Sequence, residues 1–240
     1  MAEVARVATK ADVCKADDVN LDLILEKLGP SRVAEITLTI LLRDYMRRTF
    51  DVSAGWRYWR YTLACAFCCA EVAPPNPSDR LAAYAAGLLH DIGRLALMAS
   101  YPDRYANLLV LIDRMFEADK PFDISRQETL LFAMDRFATG AWLAAAWDLP
   151  VWLRPIVGKF DRASVDQENL IATVRAGTRI ANSLGFGYLN TAPRADIRRI
   201  LSGLPAAFDQ WKTLDKWQLG EEYLQGKIQA ALNSFGIGTP

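Results

Sequence analysis

The 240-residue chain carries 28 Lys and Arg against 28 Asp and Glu, so its net charge does not attract nucleic acid or an anionic membrane surface. With 52% hydrophobic and 23% charged residues, the composition is that of a globular protein and excludes disorder over most of the length. Neither a secretory signal nor a run of about 18 apolar residues occurs, which predicts a cytoplasmic protein that does not enter a membrane.

Apolar residues recur at spacings of three and four along almost the whole chain, which predicts an all-α protein. Residues 1–19 are predicted to form a flexible N-terminal arm. Residues 20–190 are predicted to form one helical domain, and residues 191–240 a C-terminal helical extension packed on it. The helices are predicted at 21–28, 32–49, 54–72, 79–89, 94–100, 103–118, 125–134, 138–147, 151–159, 167–184, 195–201 and 219–233.

Three of the four cysteines crowd one predicted helix, at positions 65, 68 and 69. Three thiolates on one helix face, with Cys14 or His90, could hold zinc. The neighbouring residues are apolar, however, and free cysteine is among the most buried residue types. Core packing in a reducing compartment is therefore the favoured interpretation.

Tryptophans alternate with arginines in GWRYWRY and recur in GAWLAAAW. Such a pattern could stack nucleic-acid bases, but the neutral chain lacks the positive charge that this binding needs. We therefore interpret the tryptophans as core anchors and the arginines as their solvated neighbours. The basic cluster Arg194, Arg198 and Arg199 is likewise interpreted as a solvated helix face.

The segment AAGLLHDIGRLAL contains His90, which is the only histidine of the chain, followed by Asp91. An imidazole and a carboxylate at a helix end can bind one cation, but two ligands are too few for a tight metal site. The segment resembles the HDIG core of the metal-dependent HD phosphohydrolases. The closer resemblance is to the HDOD domain, the HD-related output domain of bacterial signalling proteins.

Further segments are similar to that family in the same order along the chain, from Leu21 to Gly187. They are LEKLGPSRVAEITLTILL, GWRYWRYTLACAFCCAEVA, ETLLFAMDRFATGAWLAAAWDLPVWLRPIV and VRAGTRIANSLGFG. The resemblance implies a single multi-helix HD/HDOD-like domain. It also implies where an HD enzyme would carry its remaining ligands, and other residues stand at those positions: Tyr61, Arg136, Lys159 and Thr178.

With one histidine in the chain, no alignment supplies a second imidazole. We therefore predict no catalytic residue, no metal ligand and no cofactor, and treat Tyr61, His90, Asp91, Arg136, Lys159 and Thr178 as a remnant pocket. In this hypothesis Arg136 or Lys159 takes the place of the cation beside a buried Asp91, because an unpaired buried carboxylate is costly. His90 then becomes a hydrogen-bonded core residue.

The resemblance favours a non-catalytic signalling module that binds a protein partner or a small ligand. Two alternatives stay open. In the first, Arg136 and Lys159 grip the phosphate of a nucleotide or cyclic dinucleotide directly, without metal. In the second, His90 and Asp91 keep a residual metal-dependent phosphohydrolase activity toward a nucleotide, for which Asp91 and water could hold a magnesium ion.

Overall fold

The computed structural model describes residues 21–49, 52–158, 165–189, 195–205, 208 and 220–234. These residues form helices and no strand, which confirms the all-α prediction, and no helix among them is long and apolar enough to cross a bilayer. The predicted arm, residues 1–19, lies outside the described residues. The helices are α1 (Leu21–Thr49), α2 (Val52–Val72), α3 (Pro77–Leu89), α4 (Ile92–Ser100), α5 (Pro102–Glu117), α6 (Ile124–Phe132), α7 (Arg136–Ala146), α8 (Arg154–Val157), α9 (Val165–Ala181), α10 (Ile197–Ser202) and α11 (Gly220–Ser234), with a π-helical turn at Asn182–Phe186.

Most predicted helix limits fall close to the observed ones, and the differences have local causes. The predicted break after residue 28 is a kink inside α1, where Gly29 has φ 74° and Pro30 follows. The helix predicted at 151–159 is reduced to α8, because Pro155 is tolerated only in the first turn of a helix. The helix predicted at 167–184 gives way to the π-helical turn after Ala181, in which Gly185 has φ 83°.

Helix α2 is the centre of the main core, with α3 and α9 packed on two of its sides. Both neighbours approach its backbone through glycine. A Cβ atom on Gly87 of α3 would lie 2.8 Å from the Cys65 carbonyl oxygen, and one on Gly177 of α9 would lie 2.7 Å from the Cys69 nitrogen. The small residues of ACAFCCA therefore allow three helices to stack at close to backbone contact.

Close approach through glycine also brings α4 and α7 together. A Cβ atom on Gly93 would lie 1.8 Å from the Arg136 carbonyl oxygen and 2.6 Å from the Gly140 nitrogen. A Cβ atom on Gly140 would in turn lie 2.1 Å from the Val157 carbonyl oxygen of α8. Since backbone atoms cannot yield at such distances, the two glycines fix the first turn of α7 against the start of α4.

The described part of the C-terminal extension packs on the same body. Leu224, Ile228 and Leu232 of α11 are buried in the main core, and α11 contacts α2. Gln225 also donates a hydrogen bond of 3.1 Å from Nε2 to the Leu184 carbonyl oxygen. The extension thus completes the core around α2 and holds the π-helical turn.

Candidate functional site

The His-Asp pair occupies the junction between α3 and α4. Asp91 leaves helical geometry at φ −112° and ψ 28°, and its side chain does not cap the helix that follows. Its carbonyl oxygen accepts hydrogen bonds from the Arg94 nitrogen and from the Tyr58 hydroxyl, both at 3.0 Å. The backbone is thus held from both sides, which leaves the Asp91 carboxylate to interact elsewhere.

His90 uses both nitrogens of its ring. Nδ1 donates to the Gly87 carbonyl oxygen at 2.8 Å, and Nε2 accepts from the Tyr61 hydroxyl at 3.1 Å. Burial lowers the pKa of His90, with the Gly87 carbonyl and Asp91 acting in the opposite direction. Burial also raises the pKa of Tyr61, so Tyr61 keeps the proton that it donates. The imidazole is a neutral, fully hydrogen-bonded ring.

The Asp91 carboxylate is 7% exposed and faces two arginines. Oδ2 forms a short ion pair with Nε of Arg94, one turn along α4, and Oδ1 lies 4.0 Å from Nε of Arg136. A cation therefore does stand against Asp91. Its closest source is Arg94, which the sequence analysis did not single out, while the predicted Arg136 is the more distant of the two.

Arg94 is 5% exposed and lies among aromatic rings. Its guanidinium carbon is 4.5 Å from the centre of the Tyr188 ring, and its Nη1 atom is 3.4 Å from the Tyr105 hydroxyl. Burial by itself lowers the pKa of Arg94, but Asp91 foremost, and Glu128 further off, raise it overall. The guanidinium is a permanent charge in a water-poor site.

A second carboxylate completes the cluster. Glu128 of α6 is fully buried, accepts a 2.6 Å hydrogen bond from Tyr105, and accepts 3.0 and 2.9 Å bonds from N and Nη1 of Arg136. Two guanidinium and two carboxylate groups thus balance formally. We call Asp91, Arg94, Glu128 and Arg136 the buried quartet.

The donor set at this junction does not fit a metal ion. Both ring nitrogens of His90 have partners, and both oxygens of Asp91 face guanidinium groups, which would repel a cation. Within the described ranges, no group of three His, Cys, Asp or Glu side chains could hold a metal. The side chain of Thr178 bonds to the Arg175 carbonyl oxygen of its own helix, and Lys159 lies outside the described residues.

The cysteines and tryptophans that were predicted to lie in the core differ in how far they are buried. Cys65, Cys68 and Cys69 are free and fully buried, as the core interpretation predicted, and Trp59 is buried with them. Cys14 lies outside the described residues. The core interpretation is wrong for Trp142 and Trp147, which are 60% and 57% exposed.

The arginines of GWRYWRY are likewise not simply solvated. Arg57 pairs with Asp113 at 2.9 and 3.0 Å. Arg60 donates to the Gly185 carbonyl oxygen at 3.0 Å and lies 4.8 Å from the centre of the Phe186 ring. Both are only partly exposed, so they connect α2 to α5 and to the π-helical turn.

One of the missed quartet members had a local signal. Arg94 is the one charged residue in the apolar stretch IGRLALM, and three residues is the spacing that brings it back to Asp91 on a helix. Glu128 had no comparable signal, because its partners come from α5 and α7 and meet it only in the fold.

The described helices, with the His-Asp pair held by hydrogen bonds at the α3–α4 junction, define an all-α domain. The family model for the HDOD domain matches residues 21–159. The chain therefore belongs to the HDOD domain family.

Two solved structures share the fold. One is from Marinobacter aquaeolei VT8 and is described as a candidate signal transduction protein; it has a TM-score of 0.64 at 20% identity, over 98% of this chain and 51% of that one. The other, an HDOD domain protein with unknown function from Geobacter sulfurreducens, has a TM-score of 0.64 at 18% identity, over 98% and 78%. The chain thus spans about half the length of the Marinobacter protein. No curated protein matches the chain.

Proposed function

We propose that this protein is a non-catalytic signalling module that acts by binding a protein partner or a small ligand. The observation that carries the proposal is the Arg94–Asp91 ion pair, in which a guanidinium group occupies the carboxylate that would bind the metal of an HD enzyme. The description of the Marinobacter protein as a candidate signal transduction protein supports the signalling role. A cytoplasmic, bacterial setting agrees with the two similar structures and with thiols that remain free.

The chemistry of the buried quartet does not favour hydrolysis. A metal-dependent phosphohydrolase uses its cation to bind water, lower the pKa of that water and neutralise a phosphoryl oxygen. A guanidinium group can neutralise charge, but it cannot bind and ionise a water molecule as a metal ion does. His90 is neutral and fully hydrogen-bonded, so among the described residues of this junction no imidazole stands free to act as an acid or base.

The nucleotide alternative has less support among the described residues. It needs an unpaired cation that faces a ligand, whereas Arg136 already pairs with Glu128 at 2.9 Å and is 16% exposed. The charges of the quartet balance, so this cluster offers no net attraction to phosphate. Lys159, the other cation of this alternative, lies outside the described residues.

The test combines metal binding with hydrolysis. Purified protein is assayed for cleavage of p-nitrophenyl phosphate and of cyclic dinucleotides with Mg²⁺, Mn²⁺ or Zn²⁺, beside the Asp91→Asn variant. Thermal melting is recorded with each metal and each nucleotide. We expect no hydrolysis above that of Asp91→Asn and no melting shift with metal. Metal-dependent turnover that Asp91→Asn abolishes would overturn the proposal, and stabilisation by a nucleotide without metal would select a small ligand over a protein partner.

A further inference from the structure

The outward side of α7 carries no charge and exposes two large aromatic side chains. From Phe137 to Trp147 the sequence has no Asp, Glu, Lys or Arg, although a surface helix normally turns charged residues toward water. We call the exposed residues of this side the α7 outer face: Ala138, Ala141, Trp142, Ala145, Ala146 and Trp147. An exposed apolar patch of this kind is typical of an interaction surface, and tryptophan is enriched among residues that dominate binding.

The helix cannot rotate to bury this face. Its opposite side places Thr139, Gly140, Leu143 and Ala144 in the interior. Gly140 leaves no room for even a Cβ atom against the backbone of α8. Since the backbone contact fixes the orientation of α7, Trp142 and Trp147 remain on the surface of the single chain.

The shape of the α7 outer face allows it to pack against a second copy of itself. Trp142 is a bulky projection, and alanines lie one turn to either side of it, at positions 138 and 145. Residues three and four apart are neighbours on a helix surface. When two copies of α7 meet antiparallel across a two-fold axis, each indole can pack over the partner's Ala145.

Charge favours the same occupant. A two-fold contact sets a patch against itself, so any charge near the axis meets its own copy. The α7 outer face has none, and at its end Asp148 pairs with Arg154 at 2.6 Å. Self-association therefore brings no like charges together.

We propose that the α7 outer face binds a second copy of this chain, with the two α7 helices antiparallel and each Trp142 packed over the partner's Ala145. Exposed at 60% and 57%, two indoles of up to about 250 Å² each supply roughly 300 Å² per protomer. A standard interface buries about 800 Å² on each side. A contact of this size gives a weak, reversible dimer, so association is tested at concentrations up to about 100 µM.

Sedimentation velocity between about 1 and 100 µM tests the contact, a range that detects dissociation constants of up to about 100 µM. The wild type is expected to shift from monomer to dimer, and Trp142→Glu to stay monomeric throughout. Leu41→Glu is the matched control, since Leu41 is 63% exposed but lies on α1; it is expected to dimerise as the wild type does. A wild type that remains monomeric at 100 µM, or a Trp142→Glu variant that still dimerises, overturns the proposal.

Two further variants separate specific pairing from general stickiness. Ala145→Trp makes the face more apolar but fills the space for the indole, so we expect dimerisation to weaken at least tenfold. The double variant Trp142→Ala with Ala145→Trp exchanges the two residues and should recover dimerisation, because each indole again faces an alanine of the partner. Stronger association of Ala145→Trp alone, or no recovery in the double variant, contradicts the antiparallel pairing. None of these outcomes bears on the hydrolysis and metal tests of the proposed function.

Discussion

The two sides of helix α7 differ in charge, and each is unusual for its position: the buried side carries charge and the exposed side carries none. At its first residue, Arg136 joins a buried quartet of charged groups in a place where apolar side chains are the rule. Along its outer face, Trp142 and Trp147 meet water where charged side chains are the rule. The buried quartet satisfies its charges inside the fold. The α7 outer face is exposed to water, so it is the side that can contact another molecule.

Gly93 sets the distance between α4 and α7, which keeps Arg136 inside the fold and the α7 outer face on the surface. Gly93→Ala should therefore have the largest effect on the free energy of unfolding. The added methyl group meets backbone atoms of Arg136 and Gly140, so we expect a loss of about 4 kcal/mol or more in the free energy of unfolding. Urea denaturation followed by circular dichroism measures it. The control is Gly226→Ala on α11, where a Cβ atom meets nothing within 4 Å and a gain of about 0.5–1 kcal/mol is expected. Equal stabilities for the two variants would refute the backbone contact.

Substitution of Arg94 removes the closest ion-pair partner of Asp91 in the buried quartet. Arg94→Met should cost about 3–5 kcal/mol, because it leaves a buried carboxylate without its partner. Arg136→Met should cost a similar amount, because it leaves the fully buried Glu128 without its 2.9 Å ion pair, but little of that loss should involve Asp91, which lies 4.0 Å from Arg136. The double variant Asp91→Asn with Arg94→Met should recover part of the loss in the same denaturation assay. If Asp91→Asn recovers as much of the loss caused by Arg136→Met as of the loss caused by Arg94→Met, the assignment of Arg94 as the main partner of Asp91 is wrong.

His90 should make the stability depend on pH. Its pKa is lowered in the folded state, so the unfolded chain takes up the proton first, near pH 6.5. The contribution is present above that pH and is lost as the pH falls toward the folded value, by at most about 1.4 kcal/mol per pH unit. The expected result is a decline in the free energy of unfolding between about pH 7 and 5.

The variant His90→Asn isolates this effect, because the chain has no other histidine and an asparagine amide can still donate to the Gly87 carbonyl oxygen. Its stability should change less over the same range. A slope as steep as that of the wild type would assign the pH dependence to other groups.

The smallest effect on stability is expected at the exposed side of α7. Trp142→Glu should change the free energy of unfolding of the monomer by no more than about 0.5 kcal/mol, measured at 1 µM or below, where no dimer contributes. Leu143→Glu, one residue further, places a charge in the core and should prevent folding, because Leu143 is 5% exposed. Similar stabilities for the two variants would mean that the orientation of α7 is not the one described.

Local chemistry in the sequence determined the helical elements and the family. Periodicity and breakers such as Gly29-Pro30 act over a few residues, so the helices could be read from the chain with small errors at their ends. The ordered motifs around His90 and Asp91 predicted the HDOD domain, which the family model confirms. The burial of Cys65, Cys68 and Cys69 followed from their apolar helix.

The tertiary structure decided which distant charges meet and which tryptophans are buried. The spacing of three residues is a local signal for the pairing of Arg94 with Asp91, but nothing local places Arg136 and Glu128 beside them, because that depends on how closely Gly93 allows α7 to approach α4. Trp59 and Trp142 both lie on apolar helices, yet one is buried and the other exposed, because α2 is surrounded by neighbours and α7 is covered on one side. A sequence specifies which faces can be buried, but burial depends on the positions of all the helices at once.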